Sequence, residues 1–322
     1  MRMFFYFNFI ICLTASFTGE IAYSKANEAK QHILLISGSA SSAGKMELGK
    51  LTAAAHATGH KYYFSGYYKI LKDLGLPAFE CLKVEDKDSR TLLERSVECK
   101  MNLKKYIESN NLDEKSITII GHSMGGNIAR LVAYDMFLSK YIKNVLTIST
   151  PNRGTILADY IVDEYENGDS VKTDFYRLII KVLEFSPDVK PYFFELHSKR
   201  TLGEEYYHAQ DVPMVDGINY FSISNYLKYP TLSMFNLTWN ILDQQLRDHG
   251  QQDDEYGFKS DGVIPVPSMI FGKHLELVEA DHGEGLCIGS LYFTPGCRNM
   301  KKALYRFFVN ELKIVTLPQV LE

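Results

Sequence analysis

The sequence lacks a surplus of basic residues, because 35 Lys and Arg are set against 39 Asp and Glu in 322 residues, a formal net charge of −4. Proteins that bind nucleic acid through its phosphates carry a basic patch or stripe, so this balance argues against a nucleic-acid partner. No internal repeat or low-complexity tract is present. Hydrophobic residues make up 46% and charged residues 23% of the chain, which excludes the composition typical of disorder.

Long hydrophobic runs are also scarce, because only one uncharged run stands out, Met3 to Phe17 directly after Arg2. With the small-residue pattern that ends at Ser24, it predicts a secretory signal peptide over residues 1–24, with cleavage near Ser24 or Ala26. A membrane anchor is the alternative, but the run falls short of the ~20 apolar residues that a spanning helix needs. We therefore expect a secreted or periplasmic protein whose mature chain has no transmembrane segment.

Cysteine is sparse, and of the five cysteines Cys12 would leave with the signal peptide. An even number of cysteines in an oxidising compartment predicts two disulfides. Three pairings are possible, and proximity in the sequence favours Cys81 with Cys99 and Cys287 with Cys297. A metal site is the less favoured alternative because the paired C-x-x-C or His spacing of zinc sites is missing. Free buried thiols remain the simplest alternative.

The rest of the chain alternates short runs of β-branched and aliphatic residues with longer stretches of helical periodicity. Several of the short runs are apolar on both faces, as in a strand covered by helices on each side. The predicted strands are Ile33–Ser37, Ala78–Val84, Ser116–Gly121, Asn144–Ser149, Asn219–Ser224 and Leu275–Ala280. The predicted helices are Ser89–Ser109, Met124–Ser139 and Met300–Leu312. We predict an α/β fold in which residues 25–322 form one domain on a mostly parallel, doubly wound sheet.

The regular alternation stops at Pro151 and resumes near Gly217. The segment between them, about residues 152–216, is rich in Tyr, Phe, Leu and Ile. An insertion there would lie at the carboxyl edge of the sheet, where open α/β folds bind ligands. We interpret it as a helical lid or cap; extra helices without a gating role are the alternative.

The strongest motif is Gly121-His122-Ser123-Met124-Gly125-Gly126, which fits G-x-S-x-G between a predicted strand and a predicted helix. Glycines on both sides of the serine allow an abrupt turn from strand to helix. The turn exposes the serine at a helix N-terminus, where backbone N–H groups favour a developing oxyanion. Ser123 is therefore the candidate nucleophile.

A serine nucleophile needs a base, and the base works best when a carboxylate holds its other nitrogen. We assign His282 as the base and Asp261 as the orienting acid, because each stands in a loop that follows a predicted strand and in the order acid then histidine. His122 belongs to the turn itself and cannot reach its neighbour Ser123. The rivals are His249 and His274 for the base, and Asp253, Asp254 and Asp281 for the acid.

Acyl transfer also needs two backbone donors aimed at the oxyanion. The N–H of Met124, directly after the serine, is the first candidate. The loop after the first strand, with Gly38 and Gly44 among small residues, would provide the second, and Ser39 is the candidate there. A phosphate-binding loop is a weak alternative, because the loop fits neither G-x-G-x-x-G nor the P-loop pattern.

These motifs resemble the secreted bacterial triacylglycerol lipases of family I, within the α/β-hydrolase superfamily. The similarity is spread over most of the mature chain, although the family's His-Gly pair ahead of the oxyanion donor is Ser37-Gly38 here. The residues that carry it are Gly121 to Gly126, Ser149-Thr150-Pro151-Asn152-Arg153-Gly154-Thr155, Asn219 to Ser224, Ser260-Asp261-Gly262-Val263 and Asp281-His282. The resemblance implies an α/β-hydrolase fold and hydrolysis of acylglycerol esters under a mobile lid.

The resemblance further implies a structural calcium ion near the histidine loop, although the chemistry itself requires no cofactor. Asp243 lies in the segment that resembles the first calcium-binding region, and Glu284 stands where the family has its second aspartate. Calcium accepts carboxylates of either length, but the longer glutamate would shift the site. Ordinary surface carboxylates are the alternative.

We expect a secreted serine hydrolase whose substrate is a lipid or another ester, met at a lipid–water interface. Aromatic residues in the lid segment favour a fatty acyl chain, although core packing explains each of them singly. They are Phe175, Tyr176, Tyr192, Phe193 and Phe194. A phospholipase or lipid acyltransferase with the same three residues is the first alternative. A catalytically silent lipid-binding protein that kept the fold is the second.

Overall fold

Six parallel strands form one sheet in the described part of the chain. The computed structural model describes residues 30–38, 63–82, 90–167, 190–197, 211–233, 235–248, 255–287 and 293–314. The strands are β1 (His32–Ile36), β2 (Ala78–Glu80), β3 (Ile117–His122), β4 (Ile142–Ile148), β5 (Asn219–Tyr226) and β6 (Lys273–Glu279), in the spatial order β2-β1-β3-β4-β5-β6. All five neighbouring pairs are parallel, so every described strand ends at the same edge of the sheet.

Helices cover both faces of this sheet. They are α1 (Ser65–Asp73), α2 (Leu92–Asn110), α3 (Met124–Ala133), α4 (Ile156–Asn167), α5 (Lys190–Glu195), α6 (Asn236–Asp248), α7 (Val266–Met269) and α8 (Pro295–Asn310). Successive side chains of a strand point to opposite faces, and β1 shows the result. Leu34 belongs to a core with α2, α3 and α6, whereas Leu35 belongs to a second core with α1 and α8. This arrangement is the predicted doubly wound sheet.

All six predicted strands are present. The predicted end of the second strand, Val84, lies outside the described residues, and the other limits differ from the predicted ones by at most two residues. The predicted helix Met124–Ser139 is wrong at its end, because α3 stops at Ala133. There the Asp135 carboxylate accepts the N–H groups of Phe137 (3.0 Å) and Leu138 (3.1 Å), which starts a separate short turn.

The other two predicted helices also have different limits. The helix predicted from Ser89 begins at Leu92, where Thr91 and Glu94 form a capping box. The closing helix begins five residues earlier than predicted, because the Thr294 hydroxyl accepts the N–H of Cys297 and Pro295 occupies the first turn.

The described parts of segment 152–216 pack into the same core as α3. Leu157 and Ile161 of α4 and Leu196 after α5 are buried there. Phe193, which the sequence suggested as part of an acyl site, is buried in this core, and Phe194 packs against it. Phe175, Tyr176 and the predicted signal peptide 1–24 lie outside the described residues, and the structure describes no side-chain contacts of Tyr192. Whether the segment moves as a lid stays a prediction.

None of the helices in the described ranges combines the length and the apolar composition that a membrane-spanning helix requires.

Candidate active site

Ser123 lies in a sharp turn between β3 and α3. Its backbone has φ 55° and ψ −136°, a conformation that is sparsely populated for residues with a side chain. The turn is tight enough that a β-carbon on Gly125 would overlap the backbone of Ile36, and one on Gly126 would overlap the Thr150 side chain. The two glycines after the serine are therefore required by the close approach of β1 and the β4 loop.

Three side chains form a continuous hydrogen-bonded chain at the carboxyl edge of the sheet. His282 Nε2 lies 3.1 Å from Ser123 Oγ, and His282 Nδ1 lies 2.7 Å from Asp261 Oδ2. Asp261 is fully buried, whereas 13% of the His282 side chain is exposed. The fold thus brings together residues that are 159 and 21 positions apart in the chain.

Backbone groups hold Asp261 in place. Its second carboxylate oxygen, Oδ1, accepts the N–H groups of Val263 (3.0 Å) and Ile264 (2.8 Å). Its backbone carbonyl accepts the N–H of His282 at 3.0 Å. With Oδ1 held by these backbone groups, Oδ2 faces His282. The loops that carry Asp261 and His282 are therefore linked by two hydrogen bonds, one through the side chains and one through the backbone.

Asp281, a rival for the acid, shapes the histidine loop instead. Its Oδ1 accepts the N–H groups of Gly283 (2.9 Å) and Glu284 (2.7 Å), and its Oδ2 accepts the Ser233 hydroxyl at 2.7 Å. Burial raises the pKa of Asp281 to about 6, although the hydrogen bonds from the Glu284 backbone and the Ser233 hydroxyl lower it.

The other rivals give no competing site among the described residues. His274 lies in β6 with its Nδ1 3.4 Å from the Tyr256 hydroxyl, and burial lowers its pKa. His249, Asp253 and Asp254 lie outside the described residues.

Of the two predicted oxyanion donors, Met124 is the first residue of α3 and is fully buried next to Ser123. Ser39 lies outside the described residues, but the residue before it is described. A β-carbon on Gly38 would lie 2.9 Å from Ser123 Cβ. Gly38 therefore lies against the serine, and the role of Ser39 as an oxyanion donor stays a prediction.

Sequence reasoning missed Tyr63 and the environment of His122. The hydroxyl of Tyr63 accepts the N–H of Gly38 at 3.0 Å and lies 2.9 Å from His122 Nδ1. Tyr63 precedes α1 and is separated from its two partners by 25 and 59 positions, with no motif around it. Local sequence carries no signal for such contacts.

The two predicted calcium ligands each have a protein partner. Asp243 lies in α6, where its two carboxylate oxygens accept hydrogen bonds from Arg247 Nε (2.8 Å) and from a terminal nitrogen of the same guanidinium (2.9 Å). Glu284 Oε2 accepts the N–H of Asp281 at 2.9 Å. Within the described ranges, no group of three or more His, Cys, Asp or Glu side chains could hold a metal ion. These residues do not fit the multi-oxygen donor set that calcium prefers, so we assign no step to a metal.

Both disulfides have the predicted pairing. Cys81 is bonded to Cys99, and Cys287 to Cys297. The second bond joins the loop that follows His282 to the first turn of α8. The same loop is held from the other side by α1, where the Tyr67 hydroxyl donates to the Gly285 carbonyl at 2.5 Å.

The parallel sheet with helices on both faces, and a serine on a strand-to-helix turn at its carboxyl edge, define the α/β-hydrolase fold. The chain has this fold, and lipases are among the known proteins that resemble it in sequence or in structure. Residues 84–177 match the family model of the PGAP1-like alpha/beta domain. This match covers β3, the serine turn and β4.

Known proteins with similar sequence or structure include lipases. Triacylglycerol lipase 2 of Saccharomyces cerevisiae is 26% identical over 193 residues, which span 59% of this chain and 52% of the yeast protein. The lipase BlEst2 of Bacillus licheniformis in its mature form has a TM-score of 0.54 at 14% identity and covers 90% of this chain and 94% of its own. The Staphylococcus hyicus lipase has a TM-score of 0.50 at 14% identity, over 89% of this chain and 96% of its own. At such identities the two structures establish the shared fold.

Proposed function

We propose that the protein is a carboxylic ester hydrolase of the triacylglycerol lipase type that works through an acyl-enzyme on Ser123. The single observation that carries the proposal is the hydrogen-bonded chain from Ser123 through His282 to Asp261. A serine hydroxyl becomes a good nucleophile when such a histidine can take its proton. The resemblance to family I lipases and the match to the yeast triacylglycerol lipase support an acyl lipid as the substrate.

In the first half of the reaction, Ser123 Oγ attacks the ester carbonyl carbon while His282 Nε2 takes the hydroxyl proton. The Asp261 carboxylate accepts a hydrogen bond from the Nδ1–H of His282 and stabilises the imidazolium that forms. The C–O bond to the alcohol then breaks, and His282 returns the proton to the leaving alkoxide. The acyl group is left as an ester on Ser123.

In the second half, water takes the place of the alcohol. His282 removes a proton from water as the oxygen attacks the acyl carbon, and the proton then returns to Ser123 Oγ as the fatty acid leaves. The backbone N–H groups of Met124 and Ser39 are the proposed donors to the oxyanion in both halves. A phospholipase would share every step and differ in the leaving group, and an acyltransferase would deacylate with an alcohol.

A fluorophosphonate probe tests the nucleophile. We expect the probe to label the wild-type protein on Ser123, identified by peptide mass, and we expect no label on Ser123→Ala. Labelling of another residue would overturn the assignment of Ser123. A folded wild-type protein that does not react would favour the silent lipid-binding alternative.

A substrate panel tests the lipid assignment. We expect more fatty acid to be released from emulsified triacylglycerol than from phosphatidylcholine or short soluble esters. A preference for phosphatidylcholine would identify a phospholipase, and activity on short soluble esters alone would identify a carboxylesterase. Because Asp243 is already paired with Arg247, we expect chelation by EDTA to leave activity and melting temperature unchanged. A loss that added calcium restores would show a calcium site.

We also infer that the chain is exported by its N-terminal segment. The two disulfides fit an oxidising compartment. N-terminal sequencing of the protein from the periplasm or the medium of an expressing cell is expected to give a start near residue 25 or 27. A mature protein that still begins at Met1 would contradict the signal peptide.

A further inference from the structure

Tyr63 joins two parts of the candidate active site that come from different strands. Its hydroxyl accepts the N–H of Gly38, in the loop after β1, at 3.0 Å. The same hydroxyl lies 2.9 Å from Nδ1 of His122, the last residue of β3 and the neighbour of Ser123. The side chain is buried, with 6% exposure, so both contacts are shielded from water. The proposed reaction steps assign Tyr63 no role.

The first contact bears on the oxyanion donor. Gly38 is directly bonded to Ser39, the proposed donor, and a β-carbon on Gly38 would lie 2.8 Å from the Tyr63 hydroxyl and 2.9 Å from Ser123 Cβ. The Gly38 backbone is thus wedged between the phenol and the serine. An oxyanion donor acts only when it lies about 2.7–3.1 Å from the oxyanion. A shift of Gly38 by a fraction of an ångström would therefore misplace the next N–H.

The second contact defines the hydrogen-bonding role of the phenol. His122 is fully buried, and burial lowers its pKa well below the usual value; the nearby charge of His282 lowers it further, against an opposing contribution from the His282 backbone. A neutral imidazole has one ring nitrogen that accepts a hydrogen bond. A phenol that accepts the Gly38 N–H still has its own proton to donate, and Nδ1 of neutral His122 lies within hydrogen-bonding distance to accept it.

A neutral His122 also suits the proposed chemistry. Its ring centroid lies 4.9 Å from that of His282, which becomes positively charged when it takes the serine proton. A second positive charge at this distance, in a buried site, would oppose that step.

We propose that Tyr63 is a positioning residue that holds the loop after β1 against the nucleophile turn, by accepting from Gly38 N–H and donating to His122 Nδ1. This inference rests on the proposed ester hydrolysis. It predicts that the Tyr63 hydroxyl stabilises the transition state and does not strengthen binding of the ester. The reason is that the N–H that Tyr63 positions meets an oxyanion only after the serine has attacked.

The test is Tyr63→Phe, which removes the hydroxyl and keeps the ring. We expect kcat to fall on the order of tenfold, less than the loss of a whole oxyanion donor, with KM within about twofold. Affinity for phenylboronic acid, which forms a tetrahedral adduct with a serine, is expected to fall in parallel with kcat. Tyr106→Phe is the matched control, because the Tyr106 hydroxyl also lies 2.9 Å from a histidine Nδ1, that of His32. His32 begins β1 at the opposite end from Gly38, so the control is expected to keep its kcat.

Several outcomes would overturn the inference. Unchanged kcat in Tyr63→Phe would do so, as would a rise in KM alone, or a loss of kcat that Tyr106→Phe shares. If Tyr63→Phe does not fold, the comparison moves to His122. The amide oxygen introduced by His122→Asn lies near the position of Nδ1 and can accept from the phenol, whereas His122→Leu provides no acceptor. We therefore expect His122→Asn to keep a higher kcat than His122→Leu. Equal losses of kcat would count against the inference. Full hydrolysis by Ser123→Ala would instead contradict the proposed function.

Discussion

Two neighbouring loops show how the surroundings of a carboxylate decide what it can do. Asp261 has one oxygen bonded to backbone N–H groups and the other directed at His282. Asp281, one residue before that histidine, has both oxygens bonded to its own loop and to Ser233. Of these two buried acids, Asp261 is therefore the one with an oxygen directed at the imidazole of His282.

Asp261→Asn separates orientation from folding. The new amide oxygen can still accept from Val263 and Ile264, so we expect a folded protein with a melting temperature close to that of the wild type. Loss of the carboxylate from Nδ1 should lower kcat by about 10³–10⁴. Asp243→Asn, which alters a partly exposed carboxylate of α6, is the control and should leave the rate unchanged. A nearly normal rate for Asp261→Asn would mean that another acid orients His282.

At the scale of elements, α5 is attached to the main body through buried polar contacts. The Glu195 carboxylate accepts the N–H of Leu92 at 2.7 Å and a second hydrogen bond from the Leu93 backbone, at the N-terminus of α2. His197 pairs with Asp159 of α4 at 3.2 Å, and the Thr155 N–H donates to the Leu196 carbonyl at 2.9 Å. These bonds anchor residues 190–197, which belong to the predicted lid segment.

The attachment through Glu195 should depend on pH. Burial raises the pKa of Glu195 to about 7, although the two N–H donors and Arg95 lower it. In the folded state, Glu195 therefore keeps a proton that the unfolded chain releases above about pH 4.5. The contribution of the protonated Glu195 to the free energy of unfolding falls as the pH rises to about 7. Relative to Glu195→Gln, the wild type should lose on the order of 3 kcal/mol of unfolding free energy between pH 4 and pH 8. Urea unfolding of both proteins measures this difference, and parallel pH curves would contradict it.

At the scale of the whole molecule, two covalent links join the sheet edge and loops to helices. Cys81 follows β2 and is bonded to Cys99 in α2, whereas Cys287 follows the histidine loop and is bonded to Cys297 in α8. The separations of 18 and 10 residues correspond in a chain-entropy model to about 3 kcal/mol of stability for each bond. The two disulfides should therefore contribute similar amounts to the free energy of unfolding, although they link different parts of the fold.

Replacing each pair of cysteines by alanine tests this difference. Both double variants should lower the unfolding free energy by about 3 kcal/mol. Only the variant of Cys287 and Cys297 should also lower kcat, because that bond and the Tyr67 hydroxyl hold the loop that follows His282. The variant of Cys81 and Cys99 is the control. An unchanged melting temperature and unchanged activity in the variant of Cys287 and Cys297 would show that this bond does not support the histidine loop.

The sequence by itself determined the features that depend on neighbouring residues. The six strands follow from apolar runs, and the turn at Ser123 follows from glycines beside a serine between a strand and a helix. Both cysteine pairs follow from short separations. Helix α1 escaped prediction because its first turn has no side-chain cap, and aromatic residues obscure its periodicity.

The tertiary structure alone decided which residues meet across the sheet. The sequence favoured Asp261 over its rival Asp281 as the acid, but only the structure shows the hydrogen bonds that distinguish the two. Tyr63, Gly38 and His122 meet only because the strand order places β1 beside β3, and Glu195 reaches Leu92 across 103 positions. Local composition carries no signal for such contacts, since they depend on the order in which strands assemble and on the space that packing leaves between them.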